Sequence, residues 1–128
     1  MRWDRPAGEG TSSEILDWPS LRSRVGGDLG LLREMVVIFA AEYRLMLEQL
    51  ETAIERGEAS GVEKMAHKLK GSLVQFSAGA ATETARRLEN LGKTNALEGA
   101  GAAVRGLRRE IEELIGALNA LLSRRVNE

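Results

Sequence analysis

The chain has 128 residues, of which 43% are hydrophobic and 29% are charged, a balance typical of one globular domain with a buried core. Its 18 Lys and Arg residues and 19 Asp and Glu residues give a formal net charge of -1, whereas a general nucleic-acid binder carries a clear basic excess. The absence of cysteine excludes disulfides, thiolate metal sites and cysteine nucleophiles. The single histidine, His67, confines any imidazole chemistry to one position.

The first part of the chain predicts a leader followed by a short helix. Residues 1–16 are rich in Gly, Ser, Glu and Arg and show no hydrophobic period, so we expect a flexible leader there. Asp17 is a candidate N-cap for a helix that runs to about Val25, and Pro19 is tolerated in its first turn. The pair Gly26-Gly27 favours a turn and ends this helix.

The next two segments predict amphipathic helices. Asp28 is a candidate N-cap for the first, which ends at Gly57. The second extends from about Ala59 to Ser77; Ser60-Gly61-Val62-Glu63 has capping-box spacing, and Glu58 is an alternative start. Apolar residues recur at spacings of three or four in both: Leu32, Val36, Phe39, Tyr43, Met46, Leu50 and Ile54 in the first, and Val62, Met65, Ala66, Leu69, Leu73 and Phe76 in the second.

Two further helices complete the predicted fold. One is expected from about Ala80 to Leu91, ending at Gly92 before a loop that reaches Gly101, and the last runs to the C-terminus. Their apolar stripes are Ala81, Ala85, Leu88 and Leu91, then Val104, Leu107, Ile111, Leu114, Leu118 and Leu121. No segment alternates long enough to predict a strand. We therefore predict an all-α domain over residues 17–128, an antiparallel up-down-up-down four-helix bundle with a short additional N-terminal helix.

Neither a membrane span nor a secretory signal is expected. The longest apolar stretch, from Met35 to Ala41, is too short to cross a bilayer. The N-terminal Met1–Pro6 segment lacks the hydrophobic core of a signal peptide. We therefore expect a cytoplasmic protein without membrane insertion.

The single histidine is predicted to face water. At about 100° per residue, His67 lies roughly 150° from the centre of its helix's apolar stripe, which is near Leu69 and Leu73. Lys64 and Lys70 lie three residues before and after it, on the same outward side. This placement argues against a core histidine. The alternative to a functional histidine is then a surface histidine that has no function.

A glycine and a valine indicate that this face is open to a partner. A Gly in a helix interior costs about 1 kcal/mol relative to Ala, so Gly71 beside His67 suggests close approach of another molecule. Val74 adds an apolar residue on the same face. With Lys70 as a compensating cation, these residues suit a phosphoryl group on the imidazole and a protein that exchanges it.

The segment Ala66-His67-Lys68-Leu69-Lys70-Gly71 resembles the Ala-His-x-Leu-Lys-Gly signature of histidine phosphotransfer (HPt) domains from bacterial multistep phosphorelays. The resemblance covers helix order over about residues 17–125 and is specific in its motif over about 65–92. It implies that His67 accepts a phosphoryl group on its distal ring nitrogen from a receiver-domain phospho-aspartate and passes it to another receiver. It also implies that Lys70 stabilises the phosphate and that Gly71 lets the receiver close over the histidine.

A carboxylate and a turn are further points of comparison with that family. Family members often carry Gln or Glu 22 positions after the histidine; Glu89 stands there, and it would accept the ring's other N–H and orient His67. The alternative for Glu89 is a solvated helix carboxylate. The chain departs from the family at Ser77-Ala78, where Gly-Ala is usual, and at Ala81, where Leu is common. Both departures affect packing where the two helices turn.

The resemblance implies a phosphocarrier that is not an enzyme and has no ATP site or cofactor of its own; Mg²⁺ is expected in the partner receiver. The expected partners are response-regulator receiver domains and a hybrid histidine kinase, which would meet a monomer through Lys64, Lys68, Gly71 and Val74. The alternative function is a non-phosphorylated helical interaction module of the anti-regulator type that docks through the same face. A metal site is disfavoured because the chain has no second histidine.

Overall fold

The computed structural model describes residues 15–126, with side chains to residue 123. The helices in this part of the chain are α1 (Trp18–Arg24), α2 (Leu29–Glu55), α3 (Ala59–Gln75), α4 (Gly79–Lys93) and α5 (Ala100–Val126). No strand lies between residues 15 and 126. The all-α prediction is therefore confirmed.

The predicted helix starts and stops depend on local hydrogen bonds. Asp17 caps α1 by accepting from the Ser20 backbone N–H at 3.1 Å, and Asp28 caps α2 by accepting from Leu31 N–H at 3.0 Å. Gly57 follows α2 with φ +68°, a left-handed conformation that glycine adopts at little cost. These boundaries confirm the sequence predictions for the first two helices.

The predicted boundaries of α3 need correction. The N-cap of α3 is Glu58, without a side-chain hydrogen bond, so Ser60 lies inside the helix and caps nothing. The helix ends at Gln75, two residues before the predicted Ser77. Such shifts are ordinary where no strong capping side chain marks the helix end.

Helices α2 to α5 pack as an antiparallel bundle around one core. The Phe39 and Phe76 rings, from the first half of α2 and the end of α3, lie 5.4 Å apart between centroids. Arg108 of α5 donates to Glu51 near the end of α2 at 2.6 Å. The residues of the predicted apolar stripes are all buried except Ile54, Met65 and Leu91, which are partly buried. The burial pattern thus confirms the predicted bundle faces.

Gly92 corrects the prediction that it would end the fourth helix. It lies inside α4, which continues to Lys93. A Cβ atom built on Gly92 would lie 2.5 Å from the Glu63 backbone nitrogen and 2.8 Å from the Ala59 carbonyl oxygen. The glycine is therefore required where the backbones of α3 and α4 approach each other, and it does not act as a helix stop.

The packed chain begins earlier than predicted. Leu16, placed in the predicted leader of residues 1–16, is fully buried in the core, and Ile15 packs against it. Burying the Leu16 side chain removes apolar surface from water, so this residue belongs to the folded domain. The rest of the predicted leader, residues 1–14, lies outside the described residues, as do residues 127–128.

Helix α1 is attached to the turn between α3 and α4 through Ser77. The Asp17 backbone N–H donates to the Ser77 carbonyl oxygen at 2.9 Å. The Ser77 hydroxyl lies 2.8 Å from the Ser20 hydroxyl and accepts from Arg24 Nε at 3.0 Å. Ser77 has φ +54°, a left-handed conformation that costs less for Gly, the usual residue here in the family that the chain resembles.

Two substitutions at Ser77 separate its backbone strain from its side-chain bonds. Ser77→Ala loses both hydroxyl contacts and keeps a Cβ atom in the left-handed region, so we expect a loss of about 1–2 kcal/mol in the free energy of unfolding. Ser77→Gly loses the same contacts but relaxes the backbone, and we expect it to be about 1 kcal/mol more stable than Ser77→Ala. Urea denaturation of both variants measures this order. An Ala variant as stable as the Gly variant would contradict the strain argument.

None of the helices in the described part of the chain is long and apolar enough to span a membrane.

Candidate functional site

His67 lies on the middle of α3, with its ring directed away from the core. Its side chain is 69% exposed, while Ala66 and Leu69, on the opposite side of the helix, are fully buried. The helical periodicity explains this difference, because each residue is rotated by about 100° from the one before it, so neighbours in sequence lie on different faces. The prediction that His67 faces water is confirmed.

Glu89 on α4 lies next to His67, as the resemblance implied. Its Oε2 atom is 2.7 Å from His67 Nδ1, and its side chain is only 9% exposed. A carboxylate can only accept a hydrogen bond, so Nδ1 carries the proton and donates it. In the neutral ring the distal nitrogen, Nε2, then keeps a free lone pair on the exposed side. The alternative of a solvated Glu89 is wrong, since the residue is buried.

Lys70 is not the exposed side chain that the sequence predicted. It is 23% exposed, and its Nζ atom donates to Glu89 Oε1 at 2.5 Å. One turn of α3 separates Lys70 from His67, and Glu89 reaches both from α4. The three side chains therefore form one linked group, here called the His67–Glu89–Lys70 cluster.

The pKa of Glu89 lies below its ordinary value near 4.5. The hydrogen bond from Lys70 is the largest cause, burial of the carboxylate acts in the opposite direction, and the hydrogen bond from His67 and the charges of both neighbours lower the pKa further. Glu89 is accordingly ionised at neutral pH. An ionised carboxylate is a strong hydrogen-bond acceptor for both the ring and the ammonium group.

The lowered pKa predicts that Glu89 stabilises the fold in a pH-dependent way. Because the folded-state pKa is below the unfolded value, this stabilisation is present above about pH 4.5 and is lost as the pH falls through the lower folded pKa. We expect Glu89→Gln to be less stable than the wild type at pH 7, with the difference shrinking between about pH 4.5 and pH 3. Urea denaturation across this range measures it.

Glu83 offers a matched control for this pH dependence. It lies on the same helix, 58% exposed, and pairs with Arg86. Exposed pairs of this kind contribute roughly 0–1 kcal/mol, so Glu83→Gln should change stability little at any pH. A difference between wild type and Glu89→Gln that stays constant from pH 7 to pH 3 would contradict the expectation.

The remaining predicted site residues surround His67 on the outward face of α3. Gly71 is exposed, and apart from its chain neighbours and the adjacent backbone of α3 no atom lies within 4 Å of where its Cβ would be. Lys64 and Lys68 are exposed, and Val74 is 37% exposed. The α3 face around the imidazole is therefore open, cationic and partly apolar.

Sequence reasoning missed three apolar side chains on the neighbouring helix. Val37, Ile38 and Leu45 of α2 are between 58% and 63% exposed. Their position outside the apolar stripe of this amphipathic helix is the signal that could have revealed them. Single exposed apolar residues are common, but several on one helix often mark an interface.

Other features of the described residues lie apart from this cluster. No group of three or more His, Cys, Asp or Glu side chains within the described range is arranged to hold a metal ion. A groove of about 570 Å³ lies between α4 and α5 and includes Thr84, Arg87 and Gly106 in its lining, but none of the predicted site residues. The candidate chemistry is therefore at an exposed helix face and not in this groove.

Comparison with known proteins identifies the family. The model of the Hpt domain family matches residues 34–119, well over half of the chain, and this range includes the His67–Glu89–Lys70 cluster. No curated protein and no solved structure gives a significant match. The match covers α3 and α4 in full, together with most of α2 and α5. The chain therefore belongs to the Hpt domain family, whose members carry phosphoryl groups in phosphorelays.

Proposed function

We propose that this Hpt domain accepts a phosphoryl group on Nε2 of His67 from the phospho-aspartate of a receiver domain and passes it to a second receiver. The observation that carries the proposal is the contact between the buried Glu89 carboxylate and Nδ1 of the exposed ring, at 2.7 Å. This contact selects the tautomer in which Nε2 is the nucleophile.

In the proposed transfer, the Nε2 lone pair forms a bond to phosphorus while the bond between phosphorus and the aspartate oxygen breaks. The electron pair of the broken bond leaves with the aspartate carboxylate. Glu89 keeps its hydrogen bond to Nδ1–H and offsets the positive charge that develops on the ring. Lys70, one turn away on α3 and bonded to the same carboxylate, is the cation proposed for the phosphoryl oxygens.

The receiver would supply the Mg²⁺ that in-line phosphoryl transfer uses. We propose that this Hpt domain has no cofactor of its own and no ATP site, so it acts as a carrier between other proteins. A hybrid histidine kinase and response regulators are the proposed partners, and they would meet a monomer in the cytoplasm.

The proposed docking surface consists of the outward face of α3 and the exposed side of α2 next to it. Lys64, Lys68, Gly71 and Val74 surround His67 there. Ala53 of α2 faces α3, since a Cβ built on Gly61 would lie 3.3 Å from the Ala53 Cβ.

The helical rotation of α2 indicates that two of its exposed apolar residues lie on the side next to this surface. At about 100° per residue, Ile38 and Leu45 lie roughly 60–80° farther around α2 from Ala53, away from the core. They extend the docking surface with exposed apolar area, which favours burial against a partner.

Gly71 tests the docking surface apart from the chemistry. Because its Cβ position is open, Gly71→Leu should leave the fold intact and raise helix stability by about 0.5–1 kcal/mol. We expect the same variant to slow transfer strongly, since the Leu side chain would occupy the space that a receiver needs beside His67. Gly116→Leu, at another exposed helix glycine with open surroundings on α5, is the control and should transfer normally. A fully active Gly71→Leu would contradict the proposed approach.

The function itself is tested by incubating the protein with a phosphorylated receiver domain. The expected product is an acid-labile, base-stable phosphate on His67, as a phosphoramidate bond requires. Binding to receivers without any such phosphate would favour a non-phosphorylated interaction module of the anti-regulator type.

A further inference from the structure

One carboxylate, that of Glu89, engages both the acceptor ring of His67 and the ammonium group of Lys70. Glu89 Oε2 lies 2.7 Å from His67 Nδ1, and Glu89 Oε1 lies 2.5 Å from Lys70 Nζ. The carboxylate is 9% exposed and Lys70 is 23% exposed, so this arrangement is largely shielded from water. Lys70 is thus already occupied before any phosphoryl group arrives.

A phosphoryl group on Nε2 would change this balance. It carries more negative charge than a carboxylate and three strong acceptor oxygens. The lysine side chain is a point charge on a flexible stem, and Lys70 lies on the same helix as His67, three positions later. Its ammonium group can therefore turn towards the ring without any movement of the helix.

We propose that phosphorylation of His67 moves the Lys70 ammonium group from Glu89 to the phosphoryl oxygens. Glu89 then positions both Lys70 and the His67 ring in the resting protein, and only the ring after phosphorylation. This inference rests on the proposed function, because it concerns the phosphorylated state of the same histidine. The exchange breaks one ion pair and forms another, and no covalent bond changes in it.

The exchange would keep the phosphoryl group transferable. Lys70 must give up the Glu89 ion pair to reach the phosphate, so its net stabilisation of phosphohistidine is reduced. Glu89 meanwhile holds the proton on Nδ1. When an oxygen of a receiver aspartate, or of water in hydrolysis, bonds to phosphorus, the bond to Nε2 breaks, its electron pair returns to Nε2 and a neutral imidazole leaves. A neutral amide at position 89 would still accept from Nδ1–H but would bind Lys70 less strongly.

The test uses the full chain phosphorylated by phosphoramidate, a small phosphodonor that needs no receiver. The lifetime of phosphohistidine is followed by phosphorus NMR in the wild type, Glu89→Gln, Lys70→Met and the double variant. We expect Glu89→Gln to lengthen the half-life roughly twofold to tenfold. In the Lys70→Met background the same change should lengthen it clearly less, because the two residues act as one unit.

A second readout follows Lys70 directly. Its ammonium nitrogen resonance, identified by its loss in Lys70→Met, should shift when His67 is phosphorylated. Lys93→Met is the control, because Lys93 is an exposed lysine at the end of α4 and lies outside the proposed docking surface. It should leave the half-life close to that of the wild type.

Several outcomes would overturn the inference. Additive effects of Glu89→Gln and Lys70→Met, an unshifted Lys70 resonance, or equal effects of Lys93→Met and Lys70→Met would each do so. Failure of phosphoramidate to label His67 would overturn the inference together with the proposed function. Labelling by phosphoramidate combined with failure to transfer to any receiver would overturn the proposed function alone. The half-lives and the Lys70 resonance would still decide whether Lys70 exchanges partners, because neither measurement needs a receiver.

Discussion

His67→Gln is expected to abolish uptake of acid-labile phosphate from a phosphorylated receiver. The amide of Gln has no nucleophilic nitrogen, because its lone pair is delocalised into the carbonyl group. The fold should persist with a stability change within about 1 kcal/mol, since the His67 side chain is 69% exposed. The chemistry and the fold are therefore separable at this position.

Transfer of radiolabelled phosphate, followed by acid and base treatment, measures the loss. Lys70→Ala serves as the comparison. It should take up phosphate more slowly, but the phosphate that it does take up should still be on His67. Unchanged labelling of His67→Gln, or phosphate recovered on another residue, would rule out the assignment of His67 as the acceptor. Retained binding of the variant to the receiver would show that docking does not require the imidazole.

Gly92→Ala is expected to be strongly destabilising, with a loss of about 2–4 kcal/mol in the free energy of unfolding. The added methyl group would lie 2.5 Å from the Glu63 backbone nitrogen and 2.8 Å from the Ala59 carbonyl oxygen. These are backbone atoms of α3, so they cannot rotate away as a side-chain end could. The helices must separate, and the distance between His67 on α3 and Glu89 on α4 would change with them.

Gly71→Ala is the matched control, because it makes the same chemical change in the interior of the adjoining helix. Apart from its chain neighbours and the adjacent backbone of α3, no atom lies within 4 Å of the Cβ position there, so we expect a gain of about 0.5–1 kcal/mol from the higher helix propensity of Ala. Urea denaturation of both variants should give shifts of opposite sign. A Gly92→Ala variant as stable as the wild type would mean that α3 and α4 can separate at little cost.

Much of this fold could be predicted because its signals are local. Asp17 and Asp28 cap helices by accepting from backbone N–H groups three residues away, and a sequence displays that spacing directly. The outward placement of His67 follows from about 100° of rotation per residue and the apolar stripe of its own helix. Neither inference needs knowledge of what the helix packs against.

The errors occurred where a second element decides the outcome. Lys70 looks like an exposed lysine along α3, but Glu89 of α4 binds it and partly covers it. Leu16 precedes the first cap and has no periodic neighbours, yet the core of the bundle buries it completely. Gly92 has the appearance of a helix stop because glycine is a poor helix former, whereas its real constraint is the backbone of α3.

The sequence by itself determined the helical fold class, the order of the helices and the single position where imidazole chemistry can occur. These properties depend on residue spacing along one helix, on capping side chains and on the presence of only one histidine. Only the tertiary structure decided that Glu89 holds Nδ1 of His67 and Nζ of Lys70 at the same time, and that Gly92 permits this contact. Those relations depend on the distance and rotation between α3 and α4, which no spacing within either helix specifies.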